Sequence, residues 1–225
     1  HGINALVGGT AMVSEPLNKD DARALWRNYE IMRPSSIEPA KLLTLGKSAH
    51  NTVFGFSTER SYGDFAVYNL YNDAEGDKEL TLDFSEAGLP TGVECAVYDF
   101  WSDTVIDYVT DSYTTKALPQ YSSELLRFTP LEGEDPLLLG SNLHLSIGAT
   151  EVADIAVRGS TLKVKLTDAG AQDGTLTFYS QQPLVAAGAK NCTIDAVEVL
   201  GNNLWKVHLS GRLWNTDQSF KLKLQ

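Results

Sequence analysis

A mainly β fold, built as two antiparallel β-sandwich-like units preceded by a short strand and one α-helix, is what this sequence predicts, and three observations predict it. From about residue 50 onward, short apolar runs alternate with a period of two. Clusters of Gly, Asn, Asp, Ser and Pro separate those runs at regular intervals, the spacing of strands joined by turns. Helical periodicity shows in a single stretch, residues 20–32. With 225 residues the chain has room for one large domain or two small ones. The expected division is 1–49 for a strand, helix and connector, 50–149 for the first sandwich and 150–225 for a smaller β unit.

In chain order, Ala5-Leu6-Val7 running into Gly8-Gly9-Thr10 has the look of a buried strand meeting a loop. Asn18, Asp20 and Asp21 offer capping oxygens and negative charge at a helix start, where free amides and the helix dipole favour both. Leu25, Tyr29 and Met32 then share a face, Trp26 covers its edge, and Pro34 stops the helix. The runs 52–57 and 64–71 are strands; in the second, Phe65, Val67, Asn69 and Tyr71 alternate with Ala66, Tyr68 and Leu70, so both faces are largely covered. The polar loop 72–77 lacks the ligand spacing of a helix-loop-helix calcium site and reads as a solvated hairpin. Leu80, Leu82 and Phe84 alternate along a strand at 79–84, Cys95 to Tyr98 form the next, and Leu125 to Phe128 another. Leu137-Leu138-Leu139-Gly140-Ser141 leads to an expected strand at 143–145, where His144 is read as a hydrogen-bonded structural residue. Beyond Gly148, strands are expected at 155–157, 162–166, 174–179, 196–200, 204–209 and 220–224. In the last, Phe220, Leu222 and Leu224 point to a dry face and the two lysines to a wet one.

Composition narrows the function classes. A net charge of −11, from 18 basic and 29 acidic residues, argues against nucleic acid and against anionic membranes. No apolar run approaches the roughly 20 residues that span a bilayer. Cys95 and Cys192 fall in separate units and read as isolated thiols, so disulfides are not expected to hold the fold. Among His1, His50, His144 and His208 there is no metal-ligand spacing, and neither Gly-x-Ser-x-Gly nor His-Glu-x-x-His occurs. No catalytic residue, metal site or cofactor is therefore assigned.

The candidate contact site sits where the strand at 95–98 runs into Asp99-Phe100-Trp101-Ser102-Asp103. An indole near a loop can stack on the apolar face of a sugar, and neighbouring carboxylates can accept its hydroxyls, which makes Asp99, Trp101 and Asp103 the carbohydrate-binding candidates. Burial of Trp101 between units competes with that role. Asp99, Asp103 and Glu124 are also the acids that could meet in space, with surface solvation as their default state.

Taken together, Val97-Tyr98-Asp99-Phe100-Trp101, then Tyr121-Ser122-Ser123-Glu124-Leu125-Leu126-Arg127-Phe128-Thr129-Pro130, then Pro136 to Leu145 with Gly148, resemble the β-sandwich that follows the barrel in α-galactosidase-like glycoside hydrolases. Residues 5–10 and the helix are similar to the exit of such a barrel. The resemblance implies a (β/α)8 barrel upstream, a retaining reaction using two carboxylates from earlier strand ends, and a secreted or periplasmic parent. None of those strands is present here. The chain is expected to be a carboxy-terminal region, inactive by itself, whose partners are the missing barrel, carbohydrate, or a second copy meeting it through exposed apolar surface. The alternatives are a free-standing carbohydrate-binding or adhesion sandwich, which predicts an exposed aromatic row, and a small hydrolase with an unrecognised site.

Overall fold

The structure, a computed structural model, describes residues 23–34, 38–47, 52–133 and 135–225. The expected strand at 5–7, the caps Asn18, Asp20 and Asp21, residues 35–37 and His50 lie outside the described residues. What is described is mainly β, with antiparallel sheets. Among the described residues no helix is long and apolar enough to cross a membrane.

The first unit is a six-stranded sheet in the order β1 (Lys41–Leu42), β2 (Val53–Thr58), β3 (Phe65–Tyr71), β8 (Ser123–Pro130), β5 (Glu94–Asp99), β6 (Thr104–Thr110). One face is covered by a two-stranded sheet, β4 (Thr81–Asp83) with β7 (Ser112–Thr114), and by the one-turn helix α2 (Phe84–Ala87). Leu82, Phe84 and Tyr113 pack there against Ala66, Tyr68, Leu70, Val97 and Phe128. The opposite face presents Phe54, Phe56, Phe65, Val67, Tyr98 and Leu125 to the C-terminal unit. A strand in a middle layer has no wet side, which is why both parities of 65–71 are apolar but for the buried Asn69.

The C-terminal unit is two four-stranded antiparallel sheets, β10 (Val152–Arg158), β11 (Thr161–Leu166), β16 (Gln218–Leu224), β13 (Leu184–Lys190) and β14 (Thr193–Gly201), β15 (Leu204–Ser210), β12 (Gly174–Tyr179), β9 (Leu137–Ser141). Leu162, Val164, Phe220 and Leu222 from one sheet meet Leu138, Leu176, Phe178 and Val207 from the other. As the alternation required, Lys221 and Lys223 of β16 are exposed while Phe220, Leu222 and Leu224 are buried.

Several elements depart from expectation. The run 143–145 is no strand: residues 142–151 are turns, and Leu143, Leu145 and Ile147 reach the core without a sheet ladder. Their backbone groups are satisfied across the fold instead, Leu145 donating to the Ile31 carbonyl and Ala171 to that of Leu143. The strand is the preceding run, β9, which hydrogen-bonds to β12 in the C-terminal unit. The strand expected at 79–84 stops at Asp83, whose side chain caps Ser85 and starts α2. β6, β7 and β13 were not anticipated. β6 is largely exposed and β13 is alanine-rich and exposed beyond Leu184, so neither carries a buried period-two stripe.

Helix α1 (Arg23–Glu30) leads into Ile31 and Met32, which are buried in the shared core. Arg27 donates to the carbonyls of Asp173 and Asn142, and Gly170 donates to that of Arg33. The helix is thereby tied to the turns of the C-terminal unit. Both cysteines are free, Cys95 buried and Cys192 half-buried.

Candidate carbohydrate-contact groove

Strand β5 ends at Asp99, itself a candidate, and the four residues after it place the other two candidate side chains, Trp101 and Asp103. Phe100 is buried and donates its amide to the Leu125 carbonyl, anchoring the turn to β8. The Asp99 carboxylate accepts the Ser102 amide at 2.7 Å, a local bond that holds the turn closed. Asp103 adopts a left-handed φ of 54°, a conformation aspartate tolerates better than most residues. Trp101 is left at the tip, 52 % exposed, with its ring edge-on to Phe100 at 5.0 Å. It is therefore not consumed by burial between units.

The candidates separate here. Asp99 and Trp101 line one groove of about 380 Å³ with Ile106, Asp107, Tyr113, Lys116 and Glu124. Asp103 is turned away from it. One of its carboxylate oxygens accepts the Tyr98 hydroxyl at 2.6 Å and the Thr175 hydroxyl at 2.7 Å, and the other meets Lys206 Nζ at 3.1 Å. Tyr98 lies on β5, Thr175 on β12 and Lys206 on β15, so Asp103 ties the first unit to the second. Its oxygens are committed to that junction.

Asp99 and Glu124 do come together. Burial pushes the Glu124 carboxyl above its ordinary range; the Tyr113 hydroxyl, donating at 2.9 Å, opposes the rise and the neighbouring Asp99 charge adds to it. Burial likewise raises the Tyr113 hydroxyl, and Glu124 raises it further. Together the groove offers an open indole face, carboxylates that accept hydroxyls and one ammonium that donates. Asp107 and Tyr113 lie on short or largely exposed strands with no diagnostic run of alternation, and Lys116 lies in the irregular segment after the second of them, so the sequence alone does not mark them.

A second polar cluster has the residue types of a nucleophile and its base but the wrong setting. His144, Ser146 and Glu151 are fully buried. His144 Nε2 faces the Pro34 carbonyl at 2.7 Å, which can only accept, so that nitrogen carries the proton. Nδ1 then accepts the Ser146 amide at 3.0 Å, while the Ser146 hydroxyl lies 2.8 Å from Nδ1 and 3.0 Å from a Glu151 oxygen. The other Glu151 oxygen accepts the Gly148 amide at 2.8 Å. Burial holds the His144 imidazole below its ordinary range. Buried Arg127 donates nearby to the carbonyls of Ile147 and Leu138 and lies over the Phe65 ring at 3.6 Å. This cluster satisfies a buried turn; the histidine is structural, although it sits in a turn and not in a strand.

No protein-family model matches the sequence, and no curated protein matches it. Among solved structures, α-galactosidase I from Mortierella vinacea is similar at a TM-score of 0.43 and 16 % identity, covering 56 % of this chain and 33 % of that one. Isomalto-dextranase from Arthrobacter globiformis T6, solved with panose, is similar at a TM-score of 0.44 and 14 % identity, covering 99 % of this chain and 46 % of that one. The chain thus spans less than half the length of either neighbour, and both neighbours are glycoside hydrolases.

Proposed function

We propose that the chain serves as a non-catalytic β region of an α-galactosidase-like glycoside hydrolase, supporting a catalytic barrel and contacting carbohydrate through the groove at Trp101. The observation that carries the contact is the exposed indole set beside Asp99, Asp107, Glu124 and Lys116 in one groove. The sequence resemblance across 97–101, 121–130 and 136–145 with Gly148 supports the choice of enzyme class. A sugar ring laid on Trp101 would cover the indole with its C–H face and give its hydroxyls to Asp99 and Asp107.

Calorimetric titration with α-linked galacto- and gluco-oligosaccharides tests the contact. Binding should weaken about tenfold, the equivalent of roughly 1.4 kcal/mol, in Trp101→Ala. Unchanged binding in that variant would overturn the groove assignment, as would the absence of binding in the parent chain. Turnover of an aryl α-galactoside by the purified chain would overturn the non-catalytic role. The reading as a free-standing binding or adhesion sandwich is favoured by Tyr108, a second partly exposed ring, on β6 opposite Ala96 and outside the Trp101 groove. Glycan binding undiminished by Trp101→Ala but lost in Tyr108→Ala would move the contact to that strand.

A further inference from the structure

Strand β10 closes one side of its sheet and, among the described residues, pairs only with β11. Among the described residues no backbone hydrogen bond reaches residues 154–158 from the other side. Sheet edges are ordinarily blunted by coverage or by charge, because their unpaired amides and carbonyls template a further strand. Here Val157 is 38 % exposed on the open edge. Against residues 154–157 lies a hollow of about 580 Å³ whose far wall is Tyr62, Gly63, Glu132 and Leu137. It runs on past Gly63, Glu132 and Leu137 into a second hollow of about 530 Å³ that ends at Asp64 and at Gly88, Leu89 and Pro90.

The charge of this trough is one-sided. Asp154, Glu132 and Asp64 line it, and among the described residues no lysine or arginine does. Asp154 has Lys165 at 3.7 Å and the Ser61 hydroxyl at 3.0 Å, whereas Glu132 and Asp64 form no ion pair among the described residues. A second copy of a chain with net charge −11 would bring more negative charge to the same place. We propose that the open edge of β10 and its acidic trough form a docking site for an extended lysine- or arginine-bearing segment of a partner protein. The segment adds a strand to β10, its backbone filling the free ladder. Alternate side chains then face Ile155 and Leu137 on one side and the carboxylates of Glu132, Asp154 and Asp64 on the other. The site shares no residue with the Trp101 groove.

A fluorescein-labelled decapeptide of alternating lysine and valine is the probe, followed by anisotropy and by amide exchange of the protein. It should bind, protect amides within residues 154–158, and weaken about fivefold or more in Glu132→Lys, an exposed position whose reversal leaves the circular dichroism spectrum unchanged. The same decapeptide N-methylated at every residue has the same charge but no backbone amide donor in either register, and should bind about tenfold more weakly. Equal binding of the two peptides would mean electrostatic adhesion alone and would overturn the docking site. Absence of protection at 154–158, or indifference to Glu132→Lys, would overturn it as well.

Discussion

Trp101 and Asp103 stand two residues apart and do opposite things: the indole lies half-exposed at the tip of the turn, while the carboxylate of left-handed Asp103 reaches into the junction. Residue-scale consequences are sharpest where a polar group is buried, and His144 is the clearest case. Its neutral form is held by an acceptor on one nitrogen and a donor on the other. Its folded pKa lies below the unfolded value of about 6.5, so its contribution to stability is fully present above that pH and is lost as pH falls toward the depressed folded value. The charged groups felt at the ring are Glu151, whose attraction raises the pKa, and Arg212, whose repulsion lowers it. Replacing His144 with Ala should cost about 2–4 kcal/mol near neutral pH, because the Pro34 carbonyl and Ser146 amide lose a buried partner and a cavity remains. Urea denaturation at a series of pH values checks this, and the penalty should shrink below about pH 6 as the parent loses its own advantage. Glu124 acts in the opposite sense: its raised pKa means stability present at acid pH and lost as pH rises through that value.

At the scale of elements, β9 is where sequence and structure part most usefully. Its three consecutive leucines belong to a strand buried on both sides, one side toward the core of the C-terminal unit and the other toward β5. Gly140 makes that second contact possible, since a Cβ built there would meet the Tyr98 ring at 2.3 Å. Tyr98 has little freedom to retreat, being fully buried with its hydroxyl held by Asp103. Gly140→Ala should therefore destabilise the protein by about 1–3 kcal/mol or more through overpacking, measurable as a lower urea midpoint. A variant as stable as the parent would mean that β5 and β9 are not in contact. The same close approach explains why a glycine interrupts an otherwise apolar strand.

Over the whole molecule, the two β units share a core and a set of polar cross-links. Phe56, Phe65 and Val67 of the first unit belong to one cluster with Leu176, Phe178 and Val207 of the second. Arg127 of β8 donates to the Ile147 and Leu138 carbonyls, and Asp103 collects Tyr98, Thr175 and Lys206. With that much common surface the described units should unfold together, giving coincident transitions by tryptophan fluorescence and far-ultraviolet circular dichroism. Asp103→Asn, which tolerates the same left-handed backbone, removes the counter-charge of a largely buried ammonium that keeps only the Asp103 carbonyl, and should cost about 2–4 kcal/mol while leaving the Trp101 groove intact. Differential scanning calorimetry is the check. A loss below about 0.5 kcal/mol would place the ion pair among surface pairs that contribute little.

The sequence by itself determined the fold class and most strand positions, because alternation and turn chemistry are local and half-buried strands such as β11, β15 and β16 display them openly. It also put forward the turn from Asp99 to Asp103, of whose three candidates Asp99 and Trp101 line one groove. Tertiary structure alone decided that β9 pairs with β12, that 143–145 is a buried turn, and that Asp99 and Glu124 face one groove while Asp103 faces a junction. Those outcomes depend on which distant surface lies opposite a residue, and a period of two says which side chains share a face without saying what that face meets.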